Sequence, residues 1–302
     1  MLVNGKKLLL DALQNGYAVG AYNFSNMEQL KAIINASEKR NASVIVQASK
    51  SAIEYMGIDM CVAMVKSEAE RVSIPVCLNL DHGANFEICK LCIDKGFTNV
   101  MIDASALEYE ENIKLTKQVV EYAHKHNVTV EAELGSLKGV EDEVMSVSSH
   151  FTDPNQAKDF VERTGIDSLA VSIGTSHGAY KFKGESKLDI ERLAQIRDIV
   201  KIPLVLHGAS SLPQHLLDDF AKTGGDLKSA KGVSTENLKD AVKNGICKVN
   251  MDTDLRIAFT TAIRETITPQ MFSPRDYLKV AIKRTENLVD EKIDILGTKK
   301  YN

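Results

Sequence analysis

Eight short runs rich in aliphatic and β-branched residues are spaced along the whole chain with helical patterns between them, and this alternation limits the fold more than any other feature. The runs are residues 19–23, 44–48, 76–80, 100–103, 130–133, 169–173, 204–207 and 247–250. Met27, Leu30, Ile33 and Ile34 repeat at helical spacing behind Ser25-x-x-Glu28, the spacing of a capping box, and Leu255, Ala258, Phe259, Ala262 and Ile263 do so after the last run. Strands that alternate with helices run parallel, because a crossover helix returns the chain to the same end of the sheet. Eight such units predict an α/β fold, a closed (β/α)8 TIM barrel. A doubly wound open sheet competes, but it needs a Gly-x-Gly-x-x-Gly turn after the first strand, where Tyr22-Asn23-Phe24 stands instead.

A length of 302 residues would suit two average domains, yet a barrel occupies about 250 as one unit, and no Pro/Ser-rich linker divides the chain. Residues 1–267 are therefore predicted to form the barrel domain. Residues 268–302 have a helical pattern of their own and are expected to extend it as an arm or an oligomer contact. Two stretches, 135–154 and 224–232, exceed what a barrel needs, and long barrel loops are usually binding loops or lids.

With 44% hydrophobic residues and 26% charged, disorder and fibrous repeats are excluded. The 37 basic and 41 acidic residues leave a net charge of -4, which gives no sequence-wide attraction to nucleic acid or anionic membrane. Any anionic ligand must be held locally. No apolar run approaches the roughly 18 residues of a membrane span, and Leu8 to Leu10 end at Asp11, too short for a signal sequence, so a cytoplasmic protein is expected. The five cysteines are an odd set within hydrophobic segments, as reduced core thiols are. Cys89 and Cys92 share a helical face with Phe86 and Ile93 and read as core rather than as half of a zinc clip.

The histidines carry the strongest functional signal. Three of the seven precede glycine, at His82-Gly83, His177-Gly178 and His207-Gly208, where chance would give about 0.5 such pairs. All three fall at or just beyond the ends of the third, sixth and seventh strands, which in a barrel converge on the face that hosts chemistry. Three imidazoles meeting there would bind zinc and leave its fourth position open. The alternative is three satisfied core histidines whose glycines serve only their turns. His124, His126, His150 and His215 lie in solvated-looking segments.

Carboxylates accompany the trio. Asp81 precedes His82 and can reach a metal-bound substrate without ligating the metal, which suits a general acid/base. Asp103 ends the fourth strand. Glu131 and Glu133 point to the same side of the fifth, either as a polar layer or as partners of a histidine ligand. Glu141, Asp142 and Glu143 form a charge run in the long loop, of which one could be carried in by a closing lid. Gly208-Ala209-Ser210-Ser211 and Asn250-Met251-Asp252-Thr253 follow strands seven and eight, where barrels favour phosphate. Ser210 or Ser211 and Asp252 could equally cap helices. Lys181 and Lys183 flank Phe182 as a solvated loop or an anion clamp.

These residues also form a pattern: Leu80-Asp81-His82-Gly83, Met101-Ile102-Asp103-Ala104-Ser105, Val130-Glu131-Ala132-Glu133-Leu134-Gly135, Ile173-Gly174-Thr175-Ser176-His177-Gly178, Leu204-Val205-Leu206-His207-Gly208-Ala209-Ser210 and Val249-Asn250-Met251-Asp252-Thr253-Asp254. Over residues 8–278 the chain resembles class II fructose-bisphosphate aldolases of the shorter subgroup. The resemblance implies zinc on His82, His177 and His207, with Glu133 and Asp103 as an alternative or inner metal position. It further implies Asp81 acting at the C4 hydroxyl, and Asn23, Ser49 and Asn250 on the substrate. Lys181, Gly178, Gly208, Ser210 and Thr253 would surround one phosphate, with a monovalent cation, Na+ or K+, near the Gly178 and Gly208 loops. Arg275 would reach a second phosphate in a neighbouring subunit, which calls for a homodimer or larger homo-oligomer.

The implied reaction is the reversible cleavage of fructose 1,6-bisphosphate to dihydroxyacetone phosphate and glyceraldehyde 3-phosphate, serving glycolysis and gluconeogenesis. Zinc would act as a Lewis acid on the ketone half, with no lysine imine. Glu141 matches the family's proton donor, with His177 as the other candidate. A tagatose-bisphosphate aldolase is the nearest rival. Asp252 and Arg256, four apart on one helix face, follow the fructose-type pattern. A zinc barrel hydrolase would need a His-x-His after strand one, which is absent, and a non-catalytic sugar-phosphate-binding protein would not need Asp81 with three histidines.

Overall fold

The computed structural model describes residues 1–135, 139–141, 144–146, 151–175, 188–227, 230 and 232–301. Each of the eight expected strands forms: Val19–Asn23 (β1), Val44–Ser49 (β2), Val76–Gly83 (β3), Asn99–Ile102 (β4), Thr129–Leu134 (β5), Ser168–Val171 (β6), Leu204–Leu206 (β7) and Ile246–Met251 (β8). They pair in parallel in sequence order, and β1 joins β8 to close the barrel. The stretch 135–154, read from sequence as a loop, contains a short antiparallel hairpin, Gly139–Glu141 with Val144–Ser146.

Every residue of the eight barrel strands is buried, because helices cover the outer face and the barrel encloses the inner one. The period of two sorts the two faces. Val76, Leu78 and Leu80 of β3 and Val44, Val46 and Ala48 of β2 point outward into one apolar layer shared with Leu30, Ile33 and Ile34 of helix Met27–Arg40. Burial of each large aliphatic side chain there contributes about 1.5–3 kcal/mol. The residues between them, Gln47, Asn79 and Asp81, point inward and are buried. Below them helix Gly5–Asn15 closes the mouth at the strand starts, its Leu8, Leu9 and Ala12 packing on Val19, Ala21, Ile45, Cys77 and Cys247.

The cap of helix Met27–Arg40 sits one residue later than the sequence suggested. Asn26 Oδ1 accepts from Gln29 N at 2.8 Å, and Gln29 Oε1 accepts in return from Ser25 N at 2.8 Å, so Asn26 and Gln29 do what Ser25 and Glu28 were expected to do. All five cysteines are free and buried, and burial pushes thiols such as Cys77 up to about 12, which leaves them inert. The terminal helix Pro274–Leu296 lies against helices Met27–Arg40 and Thr253–Thr266. Among the described residues no helix is long and apolar enough to cross a membrane.

Candidate active site

His82 occupies the left-handed region with φ of 48° inside the end of β3, a conformation costly for any residue but glycine. Gly83 follows because a Cβ there would lie 2.7 Å from the Met101 carbonyl oxygen. His207 directly follows β7, and Gly208 after it has φ of 59°. The two His-Gly pairs thus serve sharp exits at one rim from strands on opposite sides of the ring, and the exits turn both imidazoles inward.

Each imidazole is fixed by a carboxylate on one nitrogen. His82 Nδ1 donates to Asp103 Oδ2 at 2.7 Å, and Asp103 Oδ1 also accepts from Ser105 Oγ at 2.7 Å. His207 Nε2 donates to Glu131 Oε1 at 2.7 Å, and Lys248 Nζ donates to Glu131 Oε2 at 2.7 Å, the ion pair being wholly buried. The remaining nitrogens, His82 Nε2 and His207 Nδ1, face one another at 3.1 Å, with Glu133 Oε2 at 3.5 Å from the latter. His82, Glu133 and His207 therefore offer three ligand atoms within 4.8 Å of one another. Carboxylate support behind a ligand histidine fixes its tautomer and orientation.

The donor set fits a metal cation. Glu133 Oε2 is buried without a hydrogen-bond partner among the described residues, aimed at the gap between the two rings. Burial and the charge of Asp103 push the Glu133 carboxyl well above its ordinary range. Burial pulls the His82 imidazole down, but the Asp103 hydrogen bond and the charges of Asp81, Asp103 and Glu133 outweigh it and raise it to about 10. Burial would raise Glu131, but Lys248 and His207 lower it to about 2. Two imidazole nitrogens and a carboxylate oxygen converging on one gap are a donor set of the kind that holds a metal cation.

Asp81 stands beside this cluster, its Oδ1 4.0 Å from His82 Nε2. Its carboxylate accepts from Asn23 Nδ2 at 2.8 Å and from Asn250 Nδ2 at 3.0 Å, so one oxygen is held from β1 and the other from β8. Ser49 is its register neighbour on β2, and its Oγ also caps helix Lys50–Met56. Asn250 Oδ1 is buried without a partner among the described residues and so remains open to a ligand.

The two loops expected to hold phosphate are tied together, since Asp252 N donates to Ser210 Oγ at 3.2 Å. Neither Ser210 nor Ser211 caps a helix. The next helix is Gln214–Lys222, beginning after Pro213, and Ser211 instead meets Lys292 Nζ of the terminal helix. Lys292 is buried and also pairs with Asp254 at 2.8 Å, beneath the start of helix Thr253–Thr266. Asp252 makes no side-chain cap either; it accepts from Arg256 Nε at 2.7 Å, the pair that their spacing predicted. Burial pushes Asp252 up to about 6 against the pull of Arg256, with Asp81 and Asp254 adding to the rise.

Asn23, Ser49, Asp81, His82, Glu133, His207, Ser210, Asn250 and Asp252 thus gather at one end of the barrel. Asp103 stands behind His82 rather than among the three converging ligand atoms. His177, Gly178, Lys181 and the side chain of Glu141 lie outside the described residues. Arg275 is exposed at the start of the terminal helix, where a single chain does not test its reach into a partner. Sequence reading missed Lys248 and the inward amides Gln47, Asn79 and Asn99. Their one signal was a polar side chain at an inward strand position, as with Asn79 two residues before Asp81.

A family model described as fructose-bisphosphate aldolase class-II matches residues 3–300. A protein of Helicobacter pylori (strain ATCC 700392 / 26695) named fructose-bisphosphate aldolase is 48% identical over 303 residues, covering 99% of each chain. A protein of the same name from Thermus caldophilus is 45% identical over 302 residues, again with 99% of each covered. Among solved structures, the YdjI aldolase from Escherichia coli K12 superposes with a TM-score of 0.83 at 34% identity, over 99% of this chain and 98% of that one.

Proposed function

The chain belongs to the class-II fructose-bisphosphate aldolase family, and we propose on that premise that it cleaves fructose 1,6-bisphosphate reversibly to dihydroxyacetone phosphate and glyceraldehyde 3-phosphate with zinc as its metal. The observation that carries this reading is the convergence of His82, His207 and Glu133 within 4.8 Å, beside an Asp81 carboxylate held at both oxygens. His82, His177 and His207 would hold the zinc, with Glu133 as an alternative ligand. When bound, zinc supplies the Lewis acidity that draws charge from the ketone half of the substrate.

The chain's own residues do the rest. Asp81 takes the proton of the C4 hydroxyl as that carbon becomes an aldehyde, and the Asn23 and Asn250 amides keep its oxygens pointed at it. Glu141 or His177 returns a proton to C3. Gly208, Ser210 and Thr253, with Gly178 and Lys181, take one phosphate near the start of helix Thr253–Thr266, where backbone N–H groups favour an anion, and a Na+ or K+ ion would sit near the Gly178 and Gly208 loops. Arg275 of a neighbouring subunit takes the other phosphate, so the working form is a homodimer or larger, in the cytoplasm, serving glycolysis and gluconeogenesis. The Asp252–Arg256 pair favours fructose over tagatose.

Two assays test this. Fructose and tagatose bisphosphates are offered in parallel with triose-phosphate readout; the wild type prefers fructose, and Asp252→Ala narrows the ratio of kcat/KM. An unchanged ratio with only lost stability removes Asp252 from selectivity. For the subunit arrangement, Arg275→Ala and Asp81→Ala chains are mixed and refolded. Random pairing makes half the dimers mixed and half their sites intact, so recovery approaches about a quarter of wild-type activity. Activity that stays at the mean of the two variants places Arg275 in its own chain's site or outside any.

A further inference from the structure

We infer that one row of side-chain hydrogen bonds running across five strands of the barrel interior holds the Asp81 carboxylate in its working position, making Gln47, Asn79, Asn99 and Thr129 positioning residues although none of them touches Asp81. The inference rests on Asp81 being the acid/base of the proposed reaction.

Asn23, Gln47, Asn79, Asn99 and Thr129 stand on β1, β2, β3, β4 and β5, and each is the register partner of the next. All five are buried. Gly5 N donates to Thr129 Oγ1 at 3.0 Å, Thr129 Oγ1 to Asn99 Oδ1 at 2.5 Å, and Asn99 Nδ2 to Asn79 Oδ1 at 2.6 Å. Asn79 Nδ2 then donates to Gln47 Oε1 at 3.1 Å, Gln47 Nε2 to Asn23 Oδ1 at 2.7 Å, and Asn23 Nδ2 to Asp81 Oδ2 at 2.8 Å. The row begins at the first residue of helix Gly5–Asn15, the positive end of its dipole, and ends on a carboxylate.

The direction of every bond follows from its last member. An ionised carboxylate only accepts, so Asn23 must present its NH2 group to Asp81 and its oxygen to Gln47. Gln47 must then present NH2 to Asn23, and the same choice passes through Asn79 and Asn99 to the Thr129 hydroxyl. An amide whose oxygen already accepts is a stronger donor, and a hydrogen bond to a charged acceptor is about twice as strong as a neutral one. The row thus fixes the orientation of Asp81 as firmly as Asp81 fixes the row. A purely space-filling role does not account for it, because barrel interiors are usually packed with Val, Ile and Leu, which need no partners. Gly5 belongs to the same construction: a Cβ there would lie 3.2 Å from both Asn99 Oδ1 and Thr129 Oγ1.

The test combines the row with its target. Asn79→Leu cuts the row in the middle, Thr129→Val cuts it near its start, and Thr129→Ser keeps the hydroxyl. Each is made alone and on an Asp81→Ala background, and kcat, KM, bound zinc and the Asn23 side-chain amide resonances of isotope-labelled protein are measured. Asn79→Leu is expected to lower kcat about tenfold, with KM within about twofold and zinc content unchanged, and to add nothing once Asp81 is absent. Thr129→Val moves the Asn23 resonances and lowers kcat about two- to threefold, and Thr129→Ser restores both. Should Asn79→Leu fail to fold, the Thr129 pair decides alone. An equal loss on both backgrounds, a loss that follows zinc content, or an unchanged kcat overturns the positioning role. If Asp81→Ala itself keeps full kcat, the assignment of Asp81 falls, and this inference with it; if Asp81→Ala is crippled while row variants are normal, only the inference falls.

Discussion

In the barrel interior, Asn23, Gln47, Asn79, Asn99 and Thr129 form a neutral row in which every amide oxygen already has its donor. Further along some of the same strands, His82, Asp103, Glu131, Glu133, His207 and Lys248 form an ionic group in which Glu133 Oε2 has no hydrogen-bond partner among the described residues. Both are buried and both are tightly linked, yet the first is complete as it stands and the second is not. A neutral polar row tolerates burial once its bonds are made. Buried charged groups also need every polar atom satisfied, and here three ligand atoms converge on a gap that a cation would fill. The difference separates a part of the core that positions from a part that binds, and Asp81 stands where the two meet, with Asn23 on one oxygen and His82 beside it.

The largest effect expected from this contrast is on activity. Removing metal with a chelator should lower kcat by about 10³ or more while the circular dichroism of the barrel is preserved, and zinc should restore it. Borohydride with substrate should leave no adduct. Activity retained in metal-free protein would erase the contrast altogether. His207→Ala should lose zinc affinity, read by competition with a chromophoric chelator, and leave the amide row intact.

Stability gives the next test. Lys248→Met leaves Glu131 buried with its main counter-charge removed, and it should reduce the free energy of unfolding by about 3–5 kcal/mol in denaturant titrations. Asn99→Leu, which breaks the neutral row at two bonds, should cost less, about 1–3 kcal/mol. Equal costs, or the reverse order, would mean that charge does not distinguish the two groups.

The smallest effect lies at the rim, where Asp252 faces Arg256, Asp81 and Asp254. Its carboxyl is raised in the folded state to about 6 by burial, so its stabilising contribution is complete below its unfolded value and is lost as the pH rises through about 6. Asp252→Asn should therefore gain in Tm relative to wild type as the pH is raised from 5 to 8, with no gain below about pH 4. A difference in Tm that does not change with pH would place the buried penalty elsewhere. The amide row contains no titratable group, so Thr129→Val should show no such trend.

The strands were legible because each is a local run of the right residues, and their boundaries shift by three residues or fewer between pattern and structure. His82 and His207 were legible for a similar reason: the glycine after each marks a sharp turn at a strand end, a feature of two neighbouring residues. That Glu131 and Glu133 share one face of their strand followed from the period of two, but that this face is the inner one did not. Their different fates did not, since Glu131 meets Lys248 from β8 and His207 from β7, while Glu133 meets the gap between two rings. The hairpin at Gly139–Glu141 was hidden in a polar stretch without an alternating pattern.

The sequence by itself determined the alternation of strands and helices, the parallel barrel that follows from it, and the rim where its functional side chains gather. Those are consequences of period and chain connectivity, which a linear pattern records. Only the tertiary structure decided which inward residues stand side by side. Asn79 meets Asn99 and Gln47 because of the stagger between strands as the barrel closes, and that stagger is a property of the whole ring, set by the fit of every strand to its neighbours and written in no single segment.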